Sequence, residues 1–233
     1  RLERAAVTGL QLTHVRAMTS DRRATLWVSD EIEGLVSVTG GRAERVQLET
    51  SDSPGRPSLV AVDSRDRLWV AFADGTLRMI QHGIVRRFGR AEGLHHASIF
   101  TVHDSGDGRV WVGGDQGLSH FVNGRFETLS GSNLPIEQVL QIASDNGGSL
   151  WLGLPLVGFV RVNPDEVTRA LNDASYRLRY AVYTSSDGIA GAPDRFAGNG
   201  VATDGDGRLW FVTGRGITIF DPRSLKQDRN VDA

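Results

Sequence analysis

Short alternating runs of apolar and polar residues recur along this chain. They include Leu59-Val60-Ala61-Val62, Ile99-Phe100-Thr101-Val102 and Val139-Leu140-Gln141-Ile142. Each is followed by an acidic, Gly-rich stretch, as in Asp63-Ser64-Arg65-Asp66, Asp104-Ser105-Gly106-Asp107-Gly108, Ser144-Asp145-Asn146-Gly147-Gly148 and Asp204-Gly205-Asp206-Gly207. Asp, Asn and Gly tolerate positive φ and bond their own backbone, so these stretches predict hairpin turns. A second strand follows and carries a tryptophan. A further turn (Gly113-Gly114-Asp115-Gln116-Gly117, or Thr213-Gly214-Arg215-Gly216) leads to a third strand, such as Leu118-Ser119-His120-Phe121-Val122 or Ile217-Thr218-Ile219-Phe220. The turn Asn123-Gly124 then opens a fourth, Arg125-Phe126-Glu127-Thr128-Leu129.

The unit repeats. Trp27, Trp69, Trp111, Trp151 and Trp210 all sit in one motif of the form Gly-Arg-Leu-Trp-Val, and successive indoles are 42, 42, 40 and 59 residues apart. A period near ~40 belongs to propeller blades or to helical repeats. Long stretches of 3.6-residue period are absent, and four short strands per repeat make a blade. The chain is therefore expected to be all-β, a β-propeller of five four-stranded blades. On the second strand of a twisted blade the indole fills the space against a neighbouring sheet, so the five tryptophans are structural.

The expected layout is a propeller over 1–222, with blades at about 10–50, 57–89, 96–130, 136–184 and 196–222, then a linker over 223–233 toward a further domain. Residues 1–9 match the end of a blade, and 2–8 are expected to be the outer strand of a preceding blade or a strand that closes the ring on the last one. The final blade shows three strands and no obvious fourth. The 59-residue gap holds Asn163-Pro164-Asp165-Glu166-Val167-Thr168-Arg169-Ala170-Leu171-Asn172. This reads as a short helix, with Asn163 at the N-cap and Pro164 in the first helical position. Two copies depart from the pattern: Arg22-Arg23-Ala24 breaks the first acidic turn, and Leu154-Pro155-Leu156-Val157-Gly158 replaces the usual second turn.

Composition narrows the function. Gly is abundant, at 28 of 233 residues against 7 Pro, as many tight turns require. With 26 basic and 28 acidic residues and no like-charge block, nothing points to nucleic acid or to contact of this segment with a membrane. The absence of Cys removes disulfides, thiolate metal sites and a Cys nucleophile. Asp204-Gly205-Asp206-Gly207 begins like a calcium loop but lacks the later ligands, so it reads as a hairpin turn and no metal is expected. Linkers into the innermost strands and loops between second and third strands crowd one face around the propeller axis, where pockets form. The ligand-binding candidates on that face are Arg56, His95, His96, Glu137, Arg195 and Asn199.

The unit Asp-x-x-Gly-x-Leu-Trp-Val, a Gly-Leu turn and a Gly-Leu linker into the next blade resembles the two-component regulator propeller repeat. The acidic helix, the tyrosines Tyr176, Tyr180 and Tyr183, Asp187-Gly188-Ile189, Gly207-Arg208-Leu209-Trp210-Phe211 and Asp221-Pro222 resemble that family's terminal blade. The resemblance implies the C-terminal part of a larger, about seven-bladed propeller. It implies an extracytoplasmic, periplasmic sensor region of an inner-membrane receptor, which acts as a homodimer. The output module, a histidine kinase or a diguanylate cyclase, lies outside this segment. By the same analogy the ligand is a small molecule or an oligosaccharide, with no cofactor and no catalytic residue in the segment. Two alternatives stand beside it: a streptogramin-lyase-like propeller enzyme, recruiting His95, His96 or His103, and a protein-interaction scaffold. No matching His-Glu spacing and no paired base and orienter supports the enzyme.

Overall fold

The computed structural model describes residues 7–48, 55–129, 136–195 and 199–224. Among these, the chain forms five antiparallel sheets arranged as blades of a β-propeller. Blade one comprises β1 (Val15–Ser20), β2 (Leu26–Asp30), β3 (Gly34–Thr39) and β4 (Arg42–Arg45). Blade two comprises β5 (Pro57–Val62), β6 (Leu68–Phe72), β7 (Leu77–Gln81) and β8 (Ile84–Phe88). Blade three comprises β9 (Ile99–Asp104), β10 (Val110–Gly114), β11 (Gly117–Val122) and β12 (Arg125–Thr128). Blade four comprises β13 (Gln141–Ser144), β14 (Leu150–Leu154), β15 (Gly158–Val162) and β16 (Tyr180–Tyr183), with helix α1 (Pro164–Asn172) inserted before β16. Blade five has three strands among the described residues: β17 (Val201–Thr203), β18 (Leu209–Thr213) and β19 (Gly216–Phe220). The expected strand over 2–8 and linker over 223–233 lie mostly outside the described residues.

Side chains alternate across each strand, so every blade has two faces. The tryptophan faces the next blade and its two neighbours on the strand face the previous one. Trp27 joins Val60, Leu68, Val70 and Phe72 of blade two. Trp69 joins Ile99, Val102, Val110 and Phe126 of blade three. Trp111 joins Val139, Ile142 and Leu152 of blade four, and Trp151 joins Leu209, Phe211 and Phe220 of blade five. The free face of blade one, Val28, Val36 and Val38, is covered by Leu10 and Leu12 of the entering segment. At the other end, Ile217 and Ile219 share the Trp210 face and stay 59% and 48% exposed.

The indole N–H must be satisfied when buried, and the acidic turn supplies the acceptor. Asp21, Asp63, Asp145 and Asp204 each stand six residues before their tryptophan and accept from its Nε1 at 3.0, 2.7, 2.9 and 2.9 Å. The other carboxylate oxygen closes the turn. Asp63 Oδ1 accepts from the backbone N–H of Arg65 and Arg67 at 2.9 and 3.0 Å, and the same pair of bonds recurs at Asp21, Asp145 and Asp204. The turn in blade one is therefore intact despite Arg22-Arg23-Ala24. Asp21 makes every bond, and Ala24 takes the left-handed conformation (φ 61°) that Asp66 takes in blade two (φ 60°). Blade three keeps the length of the turn but not the aspartate: Ser105 stands six before Trp111, and Asp104, the last residue of β9, accepts from Ser64 N of blade two.

Helix α1 begins where expected. Asn163 occupies the N-cap without a side-chain cap bond. Buried Glu166 anchors the insertion by accepting from Tyr176 Oη and Arg179 N at 2.9 and 2.8 Å.

Removing a turn aspartate strands a buried indole N–H and, in blade two, the buried Arg67 that donates to Asp63 at 2.5 Å. Asp63→Ala is expected to lower unfolding free energy by about 3 kcal/mol, and Ser105→Ala by less than about 1 kcal/mol. Urea denaturation monitored by tryptophan fluorescence measures both; equal losses would contradict the role given to the carboxylate.

Candidate functional site

The innermost strands start irregularly, and the irregularity builds a site. In β1 the register shifts between Val15 and Ala17, in β5 between Pro57 and Leu59, and in β9 the residue passed over is Phe100. Each shift is a β-bulge, which leaves one residue unpaired and re-aims its side chain. Those residues are Arg16, Ser58 and Phe100. In blade five the same place is expanded. Pro193 pairs with Thr213, as Pro57 pairs with Phe72 and Ile99 with Gly114, but regular pairing resumes only at Val201 opposite Phe211. The excursion between them is pinned at both ends on Val212: Asp194 N donates to its carbonyl at 3.2 Å, and its N–H donates to Gly200 O at 2.9 Å. Arg195 projects from this excursion.

Arg16, Ser58, Phe100 and Arg195 line one axial cleft of about 550 Å³, together with Glu31, Arg56, Pro57, Leu59, Phe72 and Ile99. Its floor is apolar, since Pro57, Leu59, Phe72 and Ile99 are buried. Its rim is cationic. The Arg16 guanidinium pairs with Glu31 Oε1 (Nε–O 2.8 Å), while the Arg195 guanidinium stands 5.2 Å over the Phe100 ring. The Arg16 hydrogen bond, with a smaller contribution from the charge on Arg56, holds Glu31 below the usual carboxylate range. Buried Asp30 sets the loop that presents Glu31, accepting from the N–H groups of His14, Ile32 and Glu33 at 2.9, 2.9 and 3.0 Å.

The six residues anticipated from sequence fall in different places. Arg56 and Arg195 meet in the cleft. Asn199 is a strut: its Oδ1 accepts from Thr101 Oγ1 and Val102 N of blade three, both at 3.2 Å, tying the blade-five excursion across the hub. His95 and Glu137 are exposed and line no part of the cleft. His96 is 4% exposed, with Nε2 bonded to Ser119 Oγ at 3.1 Å and Nδ1 accepting from Gln116 N at 3.3 Å. That pattern fixes a neutral imidazole inside blade three. His103 likewise spends Nε2 on Ser144 Oγ of blade four, at 2.9 Å. Arg16, Glu31 and Phe100 were not anticipated. A sequence signal for Arg16 and Phe100 existed in their place, one residue into the innermost strand, but bulges are not marked by residue type there.

Burial pushes the His96 pKa down to about 4, against a partial upward pull from Asp115. A histidine whose folded pKa lies below its unfolded value of about 6.5 takes up a proton on unfolding. Its contribution to stability is complete above about pH 6.5 and is lost as pH falls toward about 4. Denaturant unfolding at about pH 7 and about pH 5 is expected to show a decrease, on the order of 2 kcal/mol of which belongs to His96. His96→Gln should flatten that pH slope; an unchanged slope would contradict the buried neutral imidazole.

No family model matches the chain, and no curated protein matches its sequence. Solved structures do. The extracellular domain of the hybrid two component system BT3049 from B. thetaiotaomicron superposes with a TM-score of 0.68 at 19% identity, over 89% of this chain and 28% of that one. The corresponding domain of BT4673 from the same organism gives 0.64 at 17% identity, over 91% and 30%. Virginiamycin B lyase from Staphylococcus aureus gives 0.61 at 15% identity, over 91% and 71%. The chain thus spans less than a third of the two B. thetaiotaomicron chains. At these identities the likeness is one of fold.

Proposed function

We propose that this chain is the ligand-recognising propeller region of an extracytoplasmic receptor for two-component signal transduction, and that it binds its ligand in the axial cleft without transforming it. The cleft carries the reading. Bulges in three blades and an expanded excursion in a fourth direct side chains into one concavity. Polar groups around an apolar floor, held by rigid sheets, are the usual make-up of a small-molecule site. The repeat motifs support the family, and the extracellular domains of hybrid two component systems supply the matching architecture. Among the described residues no helix is long and apolar enough to cross a membrane.

The enzymatic alternative has a structural neighbour in the lyase, but His96 and His103 are engaged away from the cleft and His95 lies outside it. A sensor also needs its ligand to favour one arrangement of the receptor over another. The propeller is therefore expected to be one part of a larger assembly, with small molecules or oligosaccharides as ligands.

Thermal-shift screening against small molecules and a glycan panel tests the reading. A ligand at about a hundred times its Kd adds about 2.7 kcal/mol, a melting shift of several degrees. The same ligand is expected to change the output of the full-length receptor and to be recovered unaltered by mass spectrometry. A hit converted to product would favour the lyase-like alternative, and a hit without effect on receptor output would overturn sensing.

A further inference from the structure

We propose that the axial cleft selects a small organic anion, a carboxylate carried on an apolar body; this rests on the cleft being the recognition site of the receptor. The charge around it is unbalanced. Arg16, Arg56 and Arg195 reach it from three separate segments against a single carboxylate, Glu31, which is already bound to Arg16. Arg56 and Arg195 stand in no ion pair and no side-chain hydrogen bond among the described residues. Elsewhere in the molecule arginines commonly sit against a carboxylate, as Arg67 does on Asp63, Arg161 on Asp145, Arg208 on Asp204 and Arg223 on Asp221. In the cleft two guanidinium groups converge with no carboxylate of their own among the described residues.

Their placement suits a ligand. Arg195 is held over the Phe100 ring by a cation–π contact, which orients a guanidinium without using its N–H donors. A guanidinium presents paired donors that match both oxygens of a carboxylate, and such bonds are the strong ones. Beneath lies the apolar floor of Pro57, Leu59, Phe72 and Ile99, which favours an aryl or branched alkyl body over a sugar ring covered in hydroxyls. The volume of about 550 Å³ accommodates a molecule of that size.

Calorimetry with phenylacetate, benzoate and cinnamate, each beside its neutral amide, reads this directly. At least one carboxylate is expected to bind on the order of tenfold more tightly than its amide, with affinity falling as salt rises. Arg56→Gln and Arg195→Gln should each erase most of that difference, while Arg125→Gln on β12, outside the cleft, leaves it. Retained secondary structure and melting temperature show that the variants fold. Amides binding as well as acids, no acid binding at all, or acids binding undiminished to both cleft variants would overturn the proposal. If neutral sugars bind and depend on Phe72 or Phe100, the recognition site stands and the anion preference falls. If carboxylates bind as expected but leave the output of the full-length receptor unchanged, the site stands and the sensing role falls.

Discussion

The structure depends on one arrangement: an indole driven into the face of the following blade with its N–H tied back to an aspartate six residues earlier. A four-stranded sheet of this size has apolar side chains on both faces and cannot bury either by itself. Stacking blades radially solves this, but only if something large fills the wedge between twisted sheets. Trp69, Trp111 and Trp151 fill it and are nearly or wholly inaccessible. Burying an indole leaves its N–H to be satisfied, and an unsatisfied buried donor would offset much of the gain. In every blade but the third, where Ser105 stands at that position, one carboxylate resolves the conflict and, with its second oxygen, also closes the hairpin that places the tryptophan. Turn and core are thus a single device, repeated.

That device explains where chemistry is allowed. In blades two to four, residues in register on the inner strands have their backbones in the ladder and most of their side chains in the inter-blade layers, so substituting them disturbs packing. A bulge releases one residue from both duties. Arg16, Ser58 and Phe100 occupy that position in three successive blades, and in blade five the position has grown into the excursion carrying Arg195. The scaffold can vary its recognition face there without altering the tryptophan layers between blades. Asn199, bonded across the hub to Thr101 and Val102, keeps the longest of these departures from swinging free.

Much of this was legible in the chain because it is periodic. Five tryptophans in one motif, acidic turns before them and Gly-rich turns after them gave the blade, its strand order and the insertion of α1 before β16. The axial face was legible from topology, since linkers and second-to-third-strand loops must crowd there, and it brought Arg56, Arg195 and Asn199 forward. His96 shows the limit. A linker position suggested exposure, but Gly114 lacks a side chain, and a Cβ there would come within 2.5 Å of the His96 ring, so the imidazole occupies the vacated space. The Asp–indole bond was visible as a spacing of six residues in four copies, yet the turn accounted for the aspartate without it. The bulges left no sequence mark, because register is set by pairing between strands rather than by the residue that is passed over.

The linker glycines carry the same logic to the outer rim. Gly9 and Gly93 have left-handed φ values of 97° and 84°, and a side chain on either would collide with a backbone carbonyl of a fourth strand, Ala43 O on β4 or Phe126 O on β12. Gly188 has the same conformation, φ 85°, and faces open space. The difference is the absence of a fourth strand from blade five among the described residues, not a difference in the linker. Among the described residues the outer edge of β19 is unpaired, beside a hollow lined by Tyr183, Ile189 and Phe220. Positive φ alone therefore demands glycine at Gly188, whereas at Gly9 and Gly93 close approach demands it as well. A strand set on β19 as β4 and β12 are set on β3 and β11 would bring its carbonyl against Gly188, which has the same φ as Gly93 within 1°.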